Sequence, residues 1–247
     1  MTRRAIFLTL GLLLTTISFA QKPDAPPPAA KPDYSKEASI IESYRTSVIN
    51  ENDVTVSKSI SCRVRLQSNA GVQQYGLLQF GYSSWSEELT IEYVRVRKPD
   101  GIVVETPPDS IQDMPAEIMR QAPMYTDTHE KHVAVKGLGV GDVLEYQMHS
   151  RMLKPLIPGQ FWYAYDFFRT GIVIDEELEI SVPRDRQVNV KSAEVKPTLR
   201  DEGTRRVYTW KTANLENKTP EAKSPLDIPP PAVQLTSFRS WEELGHW

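Results

Sequence analysis

The sequence predicts an all-β protein, a two-sheet antiparallel β-sandwich with one short helix, and three observations carry that prediction. Val54, Val56, Ile60, Cys62, Val64 and Leu66 fall on one parity, broken only by Lys58, while Thr55, Ser57, Ser59, Ser61, Arg63 and Arg65 fall on the other. Such alternation marks a strand with one buried and one wet face, as in an antiparallel sheet. Turn residues punctuate the chain at short intervals. Lys98-Pro99-Asp100-Gly101 is the strongest of these, because proline presets φ and glycine supplies a positive one. Helical periodicity is scarce: the one helix expected before the C-terminus runs from Pro115 to Gln121, opened by proline in its first turn.

In chain order, Met1 to Ala20 has a basic start (Arg3, Arg4), an apolar run and a small-residue exit, which is the layout of a signal peptide. The apolar run is too short for a comfortable membrane span, and no second one follows. A periplasmic or secreted protein, not transmembrane after cleavage, is expected. Residues 21–35 are rich in Pro and Ala and read as a tether. The sandwich domain is expected over 36–213, with strands at Ile40 to Ile49, Val54 to Leu66, Leu77 to Phe80, Glu87 to Arg97, Ile102 to Val104, His129 to Val135, Phe161 to Phe168 and Gly171 to Val182. The apolar parity of the fourth switches near Tyr93-Val94, which predicts a bulge. Val188 to Val190 and Arg206 to Trp210 follow as strands, joined by a hairpin at Asp201 to Thr204. Residues 214–232 return to Pro, Lys and Glu and read as a linker. Beyond it, Val233 to Phe238 looks extended. Ser240-Trp241-Glu242-Glu243 forms a capping box that opens a helix.

The 247 residues carry a formal net charge of −3, with 40% hydrophobic and 25% charged residues. That suits a globular domain and argues against nucleic acid, whose binding demands a basic face. Cys62 is the only cysteine, so an internal disulfide is excluded.

Lys136 to Met148 joins three alternating glycines to a strand. A phosphate loop needs a helix after its glycines, whereas strand formers follow here, so the segment reads as a turn pinned by Asp142. Cys62 lies on the buried parity with Ile60 and Val64 and is expected in the core. His129 and His132 point to opposite faces of a strand and do not make the i, i+4 zinc pair. Glu177 and Glu179 belong to the wet side opposite Leu178 and Ile180. No catalytic, cofactor or metal residues are therefore expected.

The aromatic run 161–168 is the better candidate. Phe161, Tyr163, Tyr165 and Phe167 share one face, and Trp162 and Phe168 the other. One face goes to the core; the other either packs on a neighbouring domain or offers a platform to a sugar or peptide. Trp162, Tyr163, Tyr165, Trp241 and Trp247 are the candidate binding or interdomain surface.

Tyr44, the strand Val54 to Leu66, Asn69-Ala70-Gly71-Val72, Val94 to Gly101, Pro123 to Asp127, Leu138 to Tyr146, Phe161-Trp162 and Ser237 to Glu243 together resemble a bacterial domain family of unknown function. That family commonly sits just before a transglutaminase-like domain in exported proteins. The resemblance covers Lys36 to Trp247, with the Lys-Pro-Asp-Gly turn, the Gly-Asp-Val-Leu-Glu-Tyr strand and the Ser-Trp-Glu-Glu box as its most specific pieces. It implies that 233–247 begins the next domain, whose Cys-His-Asp core lies outside this chain. The expectation is a non-catalytic, cofactor-free accessory domain with that following domain as its partner. The alternative is a stand-alone module that binds cell-envelope glycan, peptide or protein through the aromatic strand.

Overall fold

In a computed structural model, the described residues are 33–117, 119, 127–155, 157–217 and 229–245. The expected signal peptide, most of the expected tether (21–35), most of the expected linker (214–232) and Trp247 lie outside them. Of the helix expected at Pro115 to Gln121, Glu117 and Met119 are helical, Pro115 ends a strand, and 118, 120 and 121 lie outside the described residues.

The chain begins with β1 (Ser39–Asn50) and β2 (Val56–Leu66), an antiparallel pair whose register shifts between Ile41 and Ser43. Val54, expected inside β2, sits in the preceding turn with φ +64° and is buried. The turn prevails because Val54 N–H donates to Glu51 O while Asp53 Oδ1 accepts from Thr55 N–H, closing the chain before the strand can start. A short helix, α1 (Asn69–Tyr75), is capped by Ser68, whose Oγ accepts from Gly71 N–H. Then come β3 (Leu77–Ser83), β4 (Glu87–Arg97), β5 (Val103–Glu105), β6 (Ile111–Pro115), β7 (Thr128–Ala134) and β8 (Val143–Met152). The second half contributes β9 (Trp162–Tyr165), β10 (Ile172–Pro183), β11 (Asn189–Ser192), β12 (Thr198–Glu202), β13 (Arg205–Asn214), β14 (Val233–Thr236) and a terminal helical turn, α2 (Trp241–Gly245). The expected bulge in β4 is present as a register shift between Ile91 and Tyr93.

The all-β sandwich is built from one large sheet in the order β12-β13-β10-β1-β2-β8-β4-β5 and two three-stranded sheets, β3-β7-β6 and β11-β14-β9. The second layer is thus split in two. One pairing departs from the antiparallel expectation: β1 and β10 run parallel, Thr46 opposite Leu178 and Val48 opposite Ile180. Parallel neighbours need a long crossover, and here everything between Asn50 and Ile172 supplies it. The Asp201 to Thr204 hairpin joins β12 to β13. The sequence placed Val188 to Val190 on its other arm, but β11 leaves for the small sheet. All five residues of β12 are exposed, so this edge strand carries no alternation to read.

Two apolar clusters fill the same face of the large sheet. Leu178, Ile180, Val182, Val48 and Trp210 pack beneath β11-β14-β9, and Val64, Leu66, Val94, Val96 and Leu144 beneath β3-β7-β6. Tyr44 and Val48 share a parity on β1 and serve one cluster each, which places both small sheets on one side. Cys62 is in the second cluster, where burial pushes its thiol up to about 12.

The opposite face of the large sheet is a charged ladder. Arg63, Arg95 and Arg97 converge on Glu145, and Arg63 and Arg65 on Glu42. Burial raises the Glu145 carboxyl, and the bonds from Arg95 and Arg97 more than reverse this, leaving it below its usual range. Glu177 and Glu179 are on this face as expected, paired with Lys211 and Arg200.

Candidate functional site

The sheet β11-β14-β9 carries the candidate site on its outer face. Alternation along β9 turns Tyr163 and Tyr165 inward, packed with Phe161 and Phe167 against the Trp210 cluster, and turns Trp162 outward, 42% exposed. Two of the three aromatic candidates on this strand are therefore core residues, so the strand is no flat platform. Trp162 opposes Thr236 on β14, which in turn opposes Asn189 on β11. The Trp162 and Phe238 rings lie 6.4 Å apart at a 35° tilt. Ile157, Lys191, Gln234 and Arg239 complete a groove of about 540 Å³. Trp241 starts α2, and Trp247 is outside the described residues.

The segment after β14 is tied to the sandwich. Ser237 N–H donates to Phe161 O at 2.8 Å, and Phe161 N–H donates to Ser237 Oγ at 2.8 Å. The Ser237 hydroxyl donates to Gln160 Oε1, whose amide in turn donates to Glu243 Oε1 at 3.0 Å. Asn189 Nδ2 holds Phe238 O at 2.7 Å. Half of the expected capping box forms, Glu243 N–H donating to Ser240 Oγ at 3.3 Å, while the Glu243 carboxylate reaches one residue further back and accepts from Arg239 N–H in place of Ser240 N–H. β14, assigned by sequence to the segment after the linker, is the central strand of this sheet.

Beneath the sheet lies a fully buried carboxylate. Glu176 accepts from Tyr165 Oη at 2.8 Å and from Phe168 N–H at 3.0 Å. Burial raises its carboxyl above the usual value, against the lowering effect of those two bonds. The same burial holds the Tyr165 hydroxyl protonated far above its ordinary range.

The other sequence candidates lie elsewhere and apart. His129 Nδ1 is 3.2 Å from Asp113 Oδ1, and His132 Nε2 is 2.7 Å from Glu130 Oε2. Among the described residues, no three His, Cys, Asp or Glu side chains gather as metal ligands. The glycine turn is pinned as expected, Asp142 Oδ2 accepting from Gly139 N–H at 2.7 Å. Phe238, Lys191 and Arg239 were not singled out by sequence. Phe238 shares the parity of Gln234 and Thr236, a signal that the capping box beyond it obscured.

Fold and groove together define an all-β domain with an apolar cleft on a small sheet. The chain belongs to DUF3857, a domain of unknown function with solved structure, whose family model matches residues 52–218. No curated protein matches it. Among solved structures it is similar to a candidate protease from Parabacteroides distasonis, with a TM-score of 0.73 and 19% identity, over 83% of this chain and 41% of that one. The chain thus spans about two fifths of that protein's length. An M1 zinc metallopeptidase from Deinococcus radiodurans aligns at a TM-score of 0.40 and 7% identity, over 81% of this chain and 42% of its own. A candidate nutrient-binding protein from Legionella pneumophila aligns at 0.39 and 9%, over 72% and 64%. The last two likenesses are too distant to support an argument.

Proposed function

We propose that this is a non-catalytic accessory domain of an exported protein, which folds against a following transglutaminase-like domain and fixes its orientation. The observation that carries this reading is the clamped segment 237–243. Bonds from Phe161, Asn189 and Gln160 hold it to the body of the sandwich, so a domain continuing from α2 inherits a set direction instead of swinging on a loose linker. The family resemblance supplies the identity of that domain, and the signal-like leader supplies export. The likeness to a candidate protease about twice as long is compatible with a modular parent.

The test is to read the coding sequence past Trp247 and express the longer protein. A Cys, His and Asp set should follow, and calorimetry should show the two domains unfolding in one coupled transition. Ser237→Gly with Asn189→Ala should split that transition in two. A stop codon at 248 would remove the reading, and so would two independent transitions in the unaltered protein.

A further inference from the structure

We propose that the groove over β11-β14-β9 binds a peptide segment of another polypeptide, one that carries an apolar side chain next to a carboxylate. The cleft, about 540 Å³, has the size of a ligand site. Its apolar part is Trp162 tilted against Phe238, with buried Ile157 nearby, so an aliphatic or aromatic side chain laid there would remove Trp162 from water. Lys191 and Arg239 line the same cleft, and among the described residues neither has an ion-pair partner, unlike the arginines of the charged ladder. Two unneutralised cations beside an apolar floor call for an anion attached to an apolar body.

The remaining polar groups favour a peptide over a lipid or a neutral sugar. Asn189 donates its amide N–H to Phe238 O, which leaves Oδ1 as an acceptor, and Gln234 turns Nε2 toward Pro231 O at 3.4 Å, which leaves its Oε1. Backbone N–H groups of a peptide satisfy such acceptors, whereas an acyl chain has none to offer. A neutral glycan could donate hydroxyls but would leave both cations unpaired. The proposal goes beyond the accessory reading and requires no following domain.

Titration calorimetry of the full chain with acetyl-Gly-Phe-Asp-Gly-amide tests it. Saturable binding is expected, weakened at least tenfold when Asn replaces Asp in the peptide. The same loss is expected in Trp162→Ser, and in Lys191→Glu combined with Arg239→Glu. These side chains line an open surface, and unchanged circular dichroism and melting would show that each variant folds. No saturable binding at millimolar peptide, equal binding of the Asn peptide, or unchanged binding by the folded variants would each overturn the proposal. So would binding of a neutral cell-wall glycan fragment in the absence of any binding to the acidic peptide.

Discussion

Lys98 Nζ lies 2.7 Å from Asp142 Oδ2, joining the Lys-Pro-Asp-Gly hairpin to the glycine turn before β8. Lys98 also donates to Gly137 O at 2.5 Å, and Asp142, 2% exposed, takes Gly139 N–H as well. Two of the three motifs most specific to the family resemblance are therefore one structural unit. Asp142→Ala should cost about 2–3 kcal/mol, because it leaves a backbone donor and an ammonium without their acceptor. Lys98→Met should cost less, since its side chain keeps some contact with water. A double-mutant cycle in urea should return a coupling of about 1 kcal/mol or more, and additivity would mean that the pair is not one unit.

Glu176 should give the protein a pH-dependent weakness. Its folded carboxyl is raised above the ordinary value of 4.5, so the folded state holds the proton more tightly than the unfolded chain does. The stability this contributes is complete below the unfolded value and is lost as pH rises through the folded one. Glu176→Gln removes that dependence. The stability of the unaltered protein relative to the variant should fall as pH rises above the ordinary carboxyl value of 4.5 in denaturant titrations, and a rise would contradict the assignment.

Gly71 should reject alanine, although alanine is the better helix former. A Cβ there would collide with the Ala38 carbonyl oxygen and press Leu66 Cδ1 at 3.3 Å. Gly71→Ala is expected to destabilise by about 1–3 kcal/mol, as overpacking does. A gain in melting temperature would show that α1 can lift away from β1.

Trp210, fully buried, donates Nε1–H to Ser192 Oγ at 3.0 Å and stacks on Tyr208. Ser192→Ala should cost about 1–3 kcal/mol by stranding that donor, and Trp210→Ala about 3–5 kcal/mol by opening a cavity. Both are measurable by chemical denaturation followed through tryptophan fluorescence.

The Cys62 thiol, pushed up to about 12 by burial, should resist iodoacetamide at pH 8 in the folded chain and react once the chain is unfolded. Rapid alkylation under native conditions would place it outside the core.

What could be read from sequence was local. The parity of β2, the bulge in β4, the hairpin at Gly101 and the turn held by Asp142 each depend on neighbours in the chain. The parity of 161–168 also separated Trp162 from Tyr163 and Tyr165, but parity alone does not say which face meets the core. That is decided by the large sheet, whose Val48, Leu178 and Trp210 meet the tyrosines, with Val233 and Leu235 of β14, some 70 residues on, beside them on the same inward face. Lys191 and Arg239 look like ordinary surface charges until the sheet brings them beside Trp162. The parallel pairing of β1 with β10 left no trace, because both strands alternate as antiparallel ones do.

That pairing also bears on how the chain comes together. β1 lies mid-sheet between β2 and β10, yet β10 starts more than a hundred residues after β1 ends. A chain emerging N-terminus first can close the β1-β2 hairpin early but must wait for its second half before the other side of β1 is satisfied. In the interval Tyr44, Thr46 and Val48 belong to an open strand edge that any passing chain could pair with. The order of synthesis thus turns a central strand into a temporary edge, and folding speed and resistance to aggregation should depend on how soon β10 arrives.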